Sequence, residues 1–195
     1  MNVPAIEPLR ARAGLPVDPQ LRGPVLLNRF FTELNLSHVA LPGLTIGVVE
    51  DYLRRQGIPA DDLGDSETKL AGFVFLAGRI GQVFVNADDI LPRRRFTAAH
   101  ELGHVVLHRD RLQRYTADTT VGETDEAANA MEREADQFAA ELLMPESIVR
   151  ARAAELQAEF AVCPRGVLAY RLAAELLVSH QAIYYRLHTL QVGHD

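Results

Sequence analysis

One cysteine, Cys163, in 195 residues excludes an internal disulfide and suits a reducing, cytoplasmic setting. By itself that thiol reads as a small buried hydrophobe. The chain also lacks a signal-peptide apolar core, an uninterrupted apolar stretch that could span a membrane, an internal repeat and a low-complexity tract. Long basic runs are missing too. A formal charge of −6 spread through mixed-sign segments tends to repel phosphate backbones, which argues against a protein whose main task is gripping nucleic acid. What remains is ample for a core: 48% hydrophobic side chains allow one self-folding domain, with or without a small appendage.

Residues 1–24 are rich in Pro, Gly and Arg without periodicity and read as an extended N-terminal arm draped over the body. Helical spacing predicts a first helix from Pro24 or Val25 to about Leu36, and a second from Thr45 to Gln56, stopped by Gly57. Two apolar runs, 70–76 and 80–86, flank Ala77-Gly78-Arg79 and predict a β-hairpin whose second strand is an edge. Pro92 and Arg93-Arg94-Arg95 then break the pattern as a solvated or ion-paired loop, and Thr97 stands ready to cap a helix from Ala98 to about His108. Residues 109–123 have no clear period and read as a loop beside that helix. Thr124, Asp125 and Glu126 open the next helix, which ends near Met144 ahead of Pro145. Further helices are expected over 146–158 and 166–176, and from Ser179 to near Leu190.

The chemistry concentrates in His100-Glu101-Leu102-Gly103-His104. A helix brings residues i and i+4 to one face, so both histidines can offer a ring nitrogen to one ion about 2.0 to 2.1 Å away. At 100° per residue His100, Glu101, His104 and His108 share one side, and Ala98, Ala99, Leu102, Val105 and Val106 the other. Gly103 costs about 1 kcal/mol relative to alanine in a helix interior, which points to a close approach by another backbone or a ligand. Such a five-residue match arises by chance in roughly one window in ten thousand, so a third ligand decides the matter.

That ligand is expected in the acidic helix downstream. Met131, Ala135, Phe138, Ala139 and Leu142 form its buried stripe; Glu132 sits at the margin, while Glu134 points to water. Asp136, one turn beyond Glu132, is placed to accept the outer N–H of a ligating histidine and fix its tautomer. Three protein ligands leave a fourth position for water, whose pKa zinc lowers to about 7. Glu101 is then the natural general base for amide hydrolysis, passing the water proton to the departing amine. An additional oxyanion donor is expected from Tyr115, His108 or one of the arginines between Arg109 and Arg114, and the sequence does not choose among them. A His2Glu set accepts several divalent ions, so manganese stands beside zinc as the candidate cofactor.

The run from Arg95 to His104, followed by Glu132-Arg133-Glu134-Ala135-Asp136-Gln137-Phe138-Ala139-Ala140-Glu141-Leu142-Leu143-Met144-Pro145, resembles the ImmA/IrrE family of metallo-endopeptidases. A weaker likeness reaches Gly72, Ile80, Val85 and Asn86 upstream and Leu168 to Leu190 downstream. The resemblance implies an α+β fold: a mostly helical zinc-peptidase core with a small β-sheet packed on the motif helix and C-terminal helix-turn-helix-like helices. The likeness covers roughly residues 45–190; taken with the pattern of the chain, it gives an arm (1–24), a zinc metallopeptidase domain (25–160) and a C-terminal helical subdomain packed on the core (161–195). It implies His100, His104 and Glu132 as ligands, Glu101 as base, and a substrate peptide added along the edge strand, here Ile80, Val83, Val85 and Asn86. Family members typically cleave a DNA-binding repressor, in mobile-element transfer or the response to DNA damage. A cytoplasmic repressor is therefore the expected protein partner, with no membrane partner.

A rival reading takes Val167 to Leu190 as a helix-turn-helix of a DNA-binding or partner-binding regulator. Its second helix offers one arginine, Arg186, and no lysine, poor equipment for holding phosphates, so helices that complete the core are the favoured reading.

Overall fold

The elements run α1 (Ile6–Arg12), α2 (Leu27–Glu33), β1 (Leu36–Leu41), α3 (Ile46–Arg55), β2 (Leu70–Ala77), β3 (Ile80–Asn86), α4 (Leu91–His108), β4 (Tyr115–Thr119), α5 (Glu126–Leu143), α6 (Glu146–Glu159), α7 (Arg165–Leu176) and α8 (His180–Thr189). They come from a computed structural model that describes residues 3–20, 22–59, 63–77, 80–110, 115–119, 126–159 and 163–193. The result is an α+β fold dominated by helix, as expected.

Alternation builds the expected hairpin. β2 and β3 pair antiparallel from Gly72 beside Val85 to Ala77 beside Ile80. Phe73, Phe75 and Phe84 fall on one face and pack with Ile46, Val49 and Leu53 of α3. Val74, Val83 and Val85 fall on the other, against Ala98, Ala99 and Leu102 of α4. The motif helix thus lies on the sheet.

The hairpin's second strand is not an edge. Leu36–Leu41, read from the sequence as the end of a helix and a loop, is a strand parallel to β3, with Leu36 beside Gly81 and Leu41 beside Asn86. The sheet order is β1-β3-β2-β4, so the main chain of β3 is engaged on both sides. Ile80, Val83, Val85 and Asn86 therefore cannot receive a substrate strand. Val83 and Val85 are buried in the core, and Asn86 Oδ1 accepts from Asp88 N at 3.0 Å in the turn before α4. Part of the reason is Gly81: a Cβ there would collide with Leu36 Cδ2, so the bare position lets β1 close on β3. β4 was also unforeseen, lying where a loop was expected. It pairs antiparallel with β2, Asp118 beside Gly72 and Tyr115 beside Phe75, and its other side pairs with no strand among the described residues.

Two further expectations change. The N-terminal stretch is not simply extended: α1 sinks Ile6 and Leu9 into the core, and Arg10, itself buried, donates from Nη2 to Leu142 O at 2.6 Å. α4 starts seven residues before Ala98, because Pro92 sits in the first turn, where a missing N–H breaks no helical bond and the fixed φ favours the helix. Thr97 is consequently a buried interior residue instead of a cap.

At the C-terminal end Ser179 caps α8, its Oγ accepting from Ala182 N at 3.1 Å. Leu168, Leu172, Ile183 and Leu187 join the cluster that holds α4 and α5, so both last helices complete the core. Arg186 turns inward: Nε donates to Met144 O at 3.1 Å and Nη2 pairs with Glu141. No helix among the described residues is long and apolar enough to cross a membrane.

Candidate metal centre

α4 and α5 meet at Gly103. A Cβ there would stand 3.1 Å from Phe138 Cδ1 and 3.2 Å from both Cα and O of Ala135, so the absent side chain admits the backbone of α5. This is the close approach the glycine suggested. Ala135 and Ala139 are fully buried along the same contact, and their small size keeps the two axes close. One turn before Ala135 and Asp136, Glu132 is carried over the two motif histidines.

Three donor atoms converge there. Nε2 of His100 lies 2.9 Å from Nε2 of His104 and 3.0 Å from Oε2 of Glu132, and Nε2 of His104 lies 3.2 Å from Oε1 of Glu132. Atoms bound to a tetrahedral zinc at about 2.0 to 2.1 Å stand roughly 3.3 Å from one another, so a slight widening of this triangle admits the ion. The chemistry of the donors asks for one. Nδ1 of His100 is 3.0 Å from Oδ1 of Asp136, and an ionised carboxylate can only accept, so the ring proton sits on Nδ1 and leaves a lone pair on Nε2. That lone pair, a second imidazole nitrogen and a carboxylate face a single point, an arrangement a divalent cation stabilises. His100, His104 and Glu132 are the residues that could hold it.

Burial acts to raise the Glu132 carboxyl, but hydrogen bonds and charge from His100 and His104 outweigh it and hold the group near pKa 2. Glu132 is thus an anion at any pH where the histidines are neutral ligands. Its side chain remains 41% exposed, beside an open cleft of about 540 Å³ lined by Asn129, Glu132, Arg133 and Asp136. Solvent can reach the donors from that side.

Glu101, next to His100 in sequence, packs against β2, its residue completely buried. Gly72 makes room for it. A Cβ on Gly72 would come within 2.5 Å of both Glu101 Oε1 and Thr97 Cγ2, so β2 presents bare backbone where the carboxylate sits. The sequence carried a signal for this contact, a glycine inside an apolar strand run, which marks close approach, yet its role was not foreseen.

The remaining candidates are placed differently. His108 is buried, with Nε2 3.3 Å from Met131 O and 3.5 Å from Glu134 Oε2, so that ring nitrogen is engaged with α5. Glu134 is mainly exposed, as expected, but also edges His108. Tyr115 begins β4 beside Phe75, and the position of its side chain lies outside the described structure, as do Arg111 and Arg114.

A small sheet on a helix bearing two histidines and a buried carboxylate, crossed by a second helix that supplies an acid, defines the scaffold of a one-cation hydrolase. Residues 55–188, more than half of the chain, match the model of the IrrE N-terminal-like domain, Peptidase M78. The protein belongs to this zinc-dependent, metallopeptidase-type family. No curated protein matches the chain.

Proposed function

We propose that the protein is a zinc endopeptidase that cleaves one peptide bond in a cytoplasmic protein, a DNA-binding transcriptional repressor, and so acts on transcription under stress. The carrying observation is the pairing of a His2Glu donor triangle with a buried carboxylate, Glu101, next to His100 in sequence on α4. The repressor target comes from the family likeness.

In this reading His100, His104 and Glu132 bind the cation, and Asp136 holds the His100 ring in the tautomer that presents Nε2. The bound cation supplies Lewis-acid polarisation of the scissile carbonyl and acidifies a water. Glu101 would serve as general base, accepting a proton from the attacking water and returning it to the amide nitrogen as the C–N bond breaks. The substrate lies along the outer side of β4, whose Asp118 is beside Gly72 and therefore one strand from Glu101. Main-chain pairing there would align the bond to be cut with little dependence on side chains.

The regulator reading is weaker, because Arg186, the one arginine of the second helix, is spent on Met144 O and Glu141. The deciding experiment incubates the zinc-loaded protein with candidate repressors, with and without chelator, beside Glu101→Gln. A discrete fragment that needs both metal and Glu101 is expected. Chelator-insensitive cleavage, or cleavage retained in the variant, would overturn the assignment.

A further inference from the structure

One turn ahead of His100 on α4, away from the donor triangle, a cavity of about 330 Å³ opens between the segment after the arm, the sheet and the motif helix. That is the small end of the range for organic-ligand sites, about 300 to 1,000 Å³. Val25, Leu27, Val85 and Ala98 line it and are buried, and Ala40 closes one side. Leu26 and Leu91, 54% and 47% exposed, stand at its mouth. The walls are apolar.

The polar groups are nearly all of one kind. Arg94, Arg95 and His38 face the cavity and no aspartate or glutamate lines it, although the chain carries an excess of six negative charges. Arg95 is occupied, donating from Nε to Leu177 O at 3.2 Å and from Nη2 to Val25 O at 3.0 Å. Arg94 is not: its Nε is sealed from solvent and has no acceptor among the described residues. The His38 ring stacks on Phe31 with centroids 5.1 Å apart, and burial together with the Arg94 charge favours its neutral form. Arg95 thus has its donors satisfied by main-chain carbonyls, whereas half-buried Arg94 keeps a sealed Nε donor with no acceptor among the described residues. A buried donor without an acceptor is costly, and a ligand that supplies the acceptor recovers that cost.

A single available guanidinium fork matches one carboxylate in bidentate geometry, whereas a phosphate dianion calls for more donors than this wall offers. We propose that this cavity binds a small monocarboxylic acid with an aliphatic tail, its carboxylate on Arg94 and its tail among Val25, Leu27, Val85 and Ala98.

Octanoate is the probe, titrated calorimetrically into the zinc-loaded full-length protein. One octanoate should bind per chain, with octan-1-ol and inorganic phosphate at least about tenfold weaker. R94Q should lose about tenfold or more for octanoate and nothing for octan-1-ol, and A40F should block the tail while leaving the charge in place. R94K, which keeps the charge but not the fork, should fall between wild type and R94Q. All three variants should retain zinc, because none touches the donor triangle. The proposal is overturned by no octanoate binding up to about 10 mM, by phosphate binding tighter than octanoate, or by equal octanoate affinity in wild type and R94Q. That last result would place the carboxylate on the zinc instead.

Discussion

Gly72 and Glu101 are packed so tightly that a single added carbon on the strand would lie 2.5 Å from the carboxylate oxygen Oε1. Sheet and motif helix thus fix where the Glu101 carboxylate sits. Gly72→Ala forces Glu101 or Thr97 to move, and overpacking of this kind costs about 1 to 3 kcal/mol. The expected outcome is a folded protein with full zinc content and kcat/KM lowered at least about tenfold, since misplacement by about 1 Å can cost a hundredfold. Zinc stoichiometry and cleavage rate measured together check this; unchanged activity would show that Glu101 tolerates displacement.

Asp136 Oδ1 at 3.0 Å orients the His100 ring through Nδ1. Asp136→Ala should weaken zinc binding by about 10- to 100-fold, as loss of such supporting partners does elsewhere. Competition with a chelator of known affinity reads this directly, and Glu134→Ala, one residue pair away and mainly exposed, serves as the control.

At Gly103 two effects oppose one another. Alanine gains about 1 kcal/mol in helix propensity. Its Cβ would, however, meet Ala135 Cα and O at 3.2 Å, atoms of another helix backbone that cannot rotate away. Overpacking at about 1 to 3 kcal/mol should win, leaving Gly103→Ala less stable by about 1 kcal/mol in urea unfolding. A stabilised variant would mean that α5 shifts without cost.

Removing Arg186 takes its bonds from Met144 O and Glu141 in a mostly buried setting and leaves the Glu141 charge with only the Glu146 N–H. Arg186→Met should therefore destabilise by about 3 kcal/mol. The double change with Glu141→Gln should recover part of that loss, because the orphaned charge is then gone.

In the metal-free protein the Glu132 carboxyl is lowered from 4.5 to about 2. A depressed acid contributes stability that is present above its unfolded value and disappears as pH falls through its folded value. The Glu132 contribution should accordingly fade between about pH 4.5 and 2, and Glu132→Gln should flatten the acid-unfolding profile in that window. Carboxyl NMR of the zinc-free protein should find this group still ionised at pH 3, where an ordinary glutamate is mainly protonated.

The helices that carry the chemistry were legible because their signals are local. Two histidines at i and i+4, and an acid at the border of an apolar stripe, depend only on helical geometry, and Gly103 announced the helix crossing. The sheet was half legible. Its hairpin follows from alternation, but β1 joins β3 from 45 residues away, as in Ser37 beside Gln82, and Leu36–Leu41 has a burial pattern too irregular to stand out. β4 owes its pairing to β2, a long-range partner that a window on the sequence cannot see. Pro92 was misread for a different reason: the same residue that ends a helix also begins one, and only its place in the first turn distinguishes the two. Arg10 and Arg186 each reach a carbonyl near the end of α5, a role no local pattern announces.

The three side chains that could hold a metal ion hang from one helix crossing pinned by Gly103 and Ala135. Variation in the connecting segments and in the outermost strand can then reshape the surroundings while that donor cluster stays intact, a separation of adaptable surface from fixed centre that the crossing itself provides.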